Sequence, residues 1–190
     1  MLQPLGLVTL DFGVRFLVVT AMLSSNIWHG DSLNRIGIRL DNFVMAGRMV
    51  LRPTVAAGLG LALVSIVLVP PQADIGRTII NSLYYLVWGF AQQYALQGFV
   101  LLRLLDTGLN RSVPICAATI FALIHAPNVG LMVLVFLGGW LWSSLFRREP
   151  NLFALAISHA LLANAADAFL PRFITGGFRL GPAYLNWLSG

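Results

Sequence analysis

The sequence predicts an all-α, polytopic membrane helix bundle of about six transmembrane segments. Three observations carry that prediction. Hydrophobic residues make up 58% of the 190-residue chain and charged residues only 10%, with a mean hydropathy of +0.81, whereas a soluble domain carries about 25% charge. The apolar residues gather into six runs, several of them long enough to cross lipid. The twelve basic residues, all arginine, stand singly or in pairs between those runs. A net charge of +5 spread in this way orients a chain against lipid and lacks the basic face of a nucleic-acid binder. The lone cysteine, Cys116, excludes an intrachain disulfide and a cysteine-based metal cluster.

Taken in order, the first run, 5–23, has no basic flank before it and no small-x-small cleavage site after it. It therefore reads as a first span or an interfacial helix, not as a signal peptide. A polar stretch over 26–43 follows. The second run, 54–69, stops at the Pro70–Pro71 pair. The third, 78–105, reaches about 40 Å as a helix and could cross a core of about 30 Å with tilt. The fourth, 112–126, reaches only about 22 Å, and its "APN" turn carries no charge. With the fifth run, 129–146, it is expected to form a hairpin whose turn is held within protein. The sixth run covers 151–170. The tail beyond it, broken by glycine and proline and rich in aromatics, suits the headgroup level.

Loops after the first, third and fifth runs, with the adjoining helix ends, carry Arg35, Arg39, Arg48, Arg52, Arg103, Arg111, Arg147 and Arg148. The other side carries Arg77, Arg172 and Arg179. That excess predicts a cytoplasmic position for the first group.

Polar side chains within the apolar runs are few. The third run holds Gln92, Gln93 and Gln97, the fourth ends near His125, the fifth offers Ser143 and Ser144, and the sixth holds His159, Asn164 and Asp167. Each costs free energy in lipid and should face the bundle interior. The amides alone could be interhelical glue worth about 0.6–2 kcal/mol per contact. Two histidines on separate helices, opposite a third helix with an amide cluster, point instead to a site. Two imidazoles could bind a metal but are fewer ligands than the usual three for zinc, an amide cannot accept a proton, and no metal or cofactor is assigned to the chain. Asp167 lies about 12 Å beyond His159 along a helix and reads as a helix-pairing carboxylate. Glu149, the only glutamate, reads as part of a solvated charge run, and His29 as a solvated interfacial residue.

The stretches "QQYALQGF" from Gln92, "FALIH" from Phe121 and "HALLAN" from His159 occur in the order and spacing of a known pattern. They resemble the CPBP intramembrane proteases, which include the CAAX prenyl endopeptidases and proteins linked to bacteriocin immunity and lysostaphin resistance. The likeness divides the chain into an N-terminal apolar segment and polar loop, 1–34, and a protease-like domain, 35–190. The family pattern is Glu-Glu-x-x-x-Arg, then Phe-x-x-x-His, then His-x-x-x-Asn. By this resemblance the site residues are Gln92, Gln93, Gln97, His125, His159 and Asn164. Gln92 stands at the family's water-activating glutamate, Gln93 at the second glutamate and Gln97 at the arginine. Ala163 stands four after His159, with the asparagine one later. The resemblance implies an intramembrane endopeptidase, weakly active or inactive for want of its glutamates. Its partners would be membrane lipid and a membrane-bound or lipid-modified peptide, without nucleic acid, in a bacterial inner membrane. The alternative is a non-catalytic membrane scaffold or transport-associated subunit.

Overall fold

A computed structural model describes residues 5–68 and 75–189, with the side chains of 5–12 and 75–81 outside the description. The Arg77 side chain and the Pro70–Pro71 break therefore lie outside the description. All regular structure among the described residues is helical. The chain divides into two units, Met1–Ser32 and Leu33–Gly190. The first is helix α1, Leu5–Trp28, closed by a turn in which the Gly30 N–H donates to Ile27 O at 3.0 Å.

The second unit begins with a single helical turn, α2 (Leu33–Ile36), and the long α3 (Phe43–Leu68). Next comes α4 (Ile75–Gln93), which runs without a break through a π-helical segment, Tyr94–Leu101, into α5 (Leu102–Asp106). Helices α6 (Val113–Leu123), α7 (Val129–Phe146) and α8 (Leu152–Phe169) complete the bundle. Two short turns, α9 (Arg172–Thr175) and a 3₁₀ turn at Gly176–Phe178, lead to α10 (Gly181–Leu188). Among the described residues three helices, α3, α7 and α8, are long and apolar enough to cross a membrane, and Gly13–Trp28 and Val113–Leu123 are shorter apolar helices.

Each of the six apolar runs is a helix, but the second begins earlier than expected. Helix α3 starts at Phe43, so Arg48, Arg52 and Pro53 lie on it instead of in a loop. Proline has no N–H for the carbonyl four residues back. The helix nevertheless continues, and the Thr54 hydroxyl donates to the Val50 carbonyl at 2.8 Å just beyond.

The core lies among α3, the π segment, α6, α7 and α8, where Leu101, Val113 and Leu152 are fully buried. At Gly139 α7 runs close against α6: a Cβ there would sit 3.3 Å from the Phe121 ring and 3.4 Å from the Ala118 Cα. The turn between α6 and α7 is only partly enclosed. His125 and Asn128 are buried, while Ile124, Ala126 and Pro127 are exposed.

At one end of the bundle the arginine-bearing loops are tied together. Arg35 pairs with Asp106, and Arg147 donates to the Asn110 carbonyl at 2.9 Å. Asn151 caps α8 by accepting from Ala154 N at 2.9 Å, and its amide donates to Arg39 O at 2.9 Å and Asn42 Oδ1 at 2.7 Å. Asn42 in turn donates to Glu149. Glu149 is thus a half-buried acceptor in the α7–α8 loop, not a solvated charge, because a capping asparagine draws the 37–42 loop across it.

At the other end Asn128 does the corresponding work. It caps α7 by accepting from Leu131 N at 3.1 Å and donates to Thr175 O at 2.8 Å and Arg179 O at 3.1 Å. The chain after α8 is thereby folded back onto the α7 N-terminus. Gly130 permits the contact, since a Cβ there would stand 1.9 Å from the Ile174 carbonyl oxygen.

Candidate active site

Gln92 and Gln93 are neighbours on α4, and neighbours on a helix point about 100° apart. Gln92, half-buried, faces a cavity. Gln93 turns into the packed bundle and is 0% exposed, as is Gln97 in the π segment. The Gln97 amino group donates to Gln93 Oε1 at 3.3 Å, and Gln93 Nε2 lies 3.3 Å from His159 Nδ1. Gln97 Oε1 is buried without a hydrogen-bond partner. π-helical turns widen a helix locally and recur at functional sites; here the widened turn carries Gln97 and Gly98. A Cβ on Gly98 would come within 2.9 Å of the Tyr94 ring and 3.0 Å of Ile36.

His159 is fixed from three sides. Trp142 of α7 stacks on its ring, with centroids 4.6 Å apart and planes 8° from parallel. Gly89 of α4 leaves room for it, as a Cβ there would lie 3.3 Å from His159 Cγ. Gln93 meets its Nδ1. Trp142 is itself held: its indole N–H donates to Ser158 Oγ at 3.0 Å, and that hydroxyl is 2.7 Å from Thr54 Oγ1. One line of polar contacts thus joins α7, α8 and α3 behind the histidine.

His125 stands just past the end of α6 and is buried. Its Nδ1 lies 2.7 Å from the Phe121 carbonyl, one helical turn back, and its ring meets the Phe121 ring edge-on at 4.8 Å. The Phe-x-x-x-His spacing therefore has a local meaning: the phenylalanine supplies both the carbonyl and the ring against which the imidazole is set.

Gln92, His125 and His159 line one cavity of about 520 Å³ walled by α3, α4, α7, α8 and the Phe178–Leu180 return. Asn164 does not line it. Its amide donates to the Ala160 carbonyl of its own helix at 2.8 Å, and Ala163 occupies the cavity wall instead. The one-residue offset of the asparagine turns it by about 100° away from the histidine's face. Asp167 does not reach the cavity either, and among the described residues no carboxylate lines it. Among the described residues no group of three or more histidine, cysteine or acidic side chains is placed to hold a metal ion.

The arrangement can hold a ligand by hydrogen bonds and apolar contact, with Gln92 and the two imidazoles among the polar groups of its described lining. Trp142, Ser158, Thr54 and Gly89 are site-supporting residues that sequence patterns did not single out. Ser158, beside His159, and Thr54 had only the weak signal of a hydroxyl within a mostly apolar run.

The family model described as type II CAAX prenyl endopeptidase, Rce1-like, matches residues 73–165, just under half of the chain. The match covers Gln92, Gln93, Gln97, His125, His159 and Asn164, and it agrees with the CPBP resemblance of the three motifs. No curated protein and no solved structure matches the chain.

Proposed function

We propose that this CAAX-endopeptidase-like membrane protein binds a membrane-bound or lipid-modified peptide in its cavity and does not cleave it at a significant rate. The observation that carries the reading is the neutral chain Gln97–Gln93–His159, in which both glutamines are 0% exposed. In the related proteases, positions 93 and 97 correspond to a glutamate and an arginine. Here both charges are replaced together, which avoids the penalty of leaving one buried charge alone. The cavity-facing member, Gln92, cannot accept a proton, and general-base catalysis contributes about 10²–10⁴-fold. Glu149 does not substitute for it, being engaged by Asn42 about two helical turns from His159.

The convergence of Gln92, His125 and His159 on one cavity favours a binding pocket over a scaffold whose histidines only pack between helices. We also place the arginine-bearing end, with Arg35, Arg39, Arg103, Arg111 and Arg147, on the cytoplasmic face of a bacterial inner membrane, on the positive-inside rule. The test is proteolysis of a prenylated peptide by the chain reconstituted in liposomes. The unaltered protein should bind the peptide without releasing product, and the Gln92→Glu, Gln93→Glu, Gln97→Arg triple variant should gain turnover. Clear turnover by the unaltered protein that disappears with His125→Ala would overturn the reading.

A further inference from the structure

His125 and His159 meet the cavity with opposite hydrogen-bonding ends. The partner of His125 Nδ1 is the Phe121 carbonyl at 2.7 Å, which can only accept, so Nδ1 carries the proton and Nε2 keeps its lone pair. At His159 the partner is of the other kind. Gln97 Nε2 donates to Gln93 Oε1, and this turns the Gln93 amino group toward His159 Nδ1 at 3.3 Å. An amino group can only donate, so Nδ1 is bare and the proton sits on Nε2. Turning both amides over would leave the Gln97 amino group, instead of its carbonyl, without a partner in a fully buried position. Buried orphan N–H groups are rarer than under-satisfied carbonyls, so the arrangement with Gln93 as donor is the better one. The stacked Trp142 ring and Gly89 keep the imidazole from turning over. Neither Nε2 is a sealed, unpartnered buried atom, and both rings line the cavity.

We propose that Gln93, anchored by Gln97, is a positioning residue that holds His159 in its Nε2–H form. The cavity then offers one imidazole donor and one imidazole acceptor, a pair matched to one uncharged amide group of an apolar ligand such as a peptide backbone. Such an amide gives its carbonyl to His159 and its N–H to His125. A carboxylate would set an oxygen against the His125 lone pair, and an ammonium would oppose the His159 N–H. Around these groups the wall is apolar, with Tyr85, Trp88 and Leu141. The ligand class rests on the binding function proposed above; the tautomer is independent of it.

The test is two-bond ¹H–¹⁵N correlation spectroscopy of the full chain, labelled at histidine, in detergent micelles near neutral pH. His159 should show an unprotonated Nδ1 and His125 a protonated one. Gln93→Glu should move the His159 proton to Nδ1, because a carboxylate only accepts. Gln97→Met, which keeps the volume and removes the anchor, should give a mixture of forms and serves where the glutamate variant does not fold. A protonated His159 Nδ1 in the unaltered chain, or a His159 signal indifferent to both substitutions, would overturn the positioning role. With the tautomer established, titration with N-decylacetamide should shift both Nε2 resonances saturably. Decanoate and decylamine should bind about tenfold more weakly or worse, since each leaves one buried imidazole nitrogen unpaired. Equal binding by the three probes would overturn the ligand class and leave the tautomer standing.

Discussion

Restoring charges to Gln93 and Gln97 one at a time, and then together, measures whether these positions behave as a coupled pair. Both side chains are 0% exposed, and their amides are 3.3 Å apart. At an effective dielectric constant near 20, opposite unit charges at that distance attract by about 5 kcal/mol. Gln97→Arg alone places a guanidinium beside a neutral amide and should cost about 3–5 kcal/mol. Gln93→Glu alone should cost less, about 1–3 kcal/mol, because Gln97 Nε2 can still donate to the carboxylate and His159 can shift its proton to Nδ1 to do the same. The double variant should recover at least about 2 kcal/mol of the summed losses. The larger volume of arginine is common to both backgrounds and cancels in the cycle. The assay is reversible unfolding in mixed micelles by added denaturing detergent, followed by tryptophan fluorescence. Additivity of the two single effects within about 0.5 kcal/mol would refute the coupling. Ordinary interhelical glue, by contrast, would appear as small losses of about 0.6 kcal/mol for neutral apolar substitutions.

Gly130→Ala should destabilise the protein by about 1–3 kcal/mol or more, because the added Cβ would stand 1.9 Å from the Ile174 carbonyl oxygen; thermal unfolding in detergent measures it. Trp142→Phe keeps a ring over His159 but loses the indole bond to Ser158, with an expected cost of about 1 kcal/mol, whereas Trp142→Ala should cost about 3–5 kcal/mol. The Arg39 guanidinium, hydrogen-bonded to Asp41, holds that carboxyl below its ordinary value of 3.8. A depressed carboxyl contributes stability that is present above its unfolded value and is lost as pH falls through the folded one. Asp41→Asn should therefore lower stability slightly at pH 7, and the difference should vanish once the pH is well below 3.8.

Helix α7 was legible to the residue because both its ends are marked: Asn128 caps it, and Arg147 and Arg148 follow it. Asn151 marks the start of α8 in the same way. The start of α3 was hidden because the usual stop signals, Arg48, Arg52 and Pro53, fall inside it. Those residues break an apolar run, but they do not break a helix whose first turns lie beside the loops at the bundle end. The π segment, Tyr94–Leu101, continues the apolar run of α4 with no residue pattern that sets it apart from α-helix. At the site, the spacing of Gln93, Gln97 and Phe121–His125 was visible because each is a local helical relation. The Trp142–Ser158–Thr54 line was not visible, because it joins three helices whose mutual rotation no single segment encodes.

The difference between Gln92 and Gln93 decides which substitution can matter for chemistry. Gln92 faces the cavity and Gln93 is consumed in holding His159, so adjacent positions of one motif have separate tasks. On the proposed reading a carboxylate at 92 would face water in the cavity, and Gln93→Glu alone should give no turnover. Gln92→Glu alone should restore part of the roughly 10²–10⁴-fold that a general base supplies. On the same reading a second position then limits the rate. Asn164 spends its amide on the Ala160 carbonyl, while Ala163, four residues after His159, lies on the cavity wall with no donor. A transition-state donor of this kind is worth about 10²–10³-fold. Adding Ala163→Asn to Gln92→Glu should therefore raise peptide cleavage again by a factor of that order, and Asn164→Ala in the same background should leave it unchanged. The assay is release of the C-terminal fragment from a prenylated peptide in liposomes. If Asn164→Ala abolishes the gain while Ala163→Asn adds nothing, the helix presents the asparagine to the substrate after all, and the assignment of the two faces of α8 is wrong.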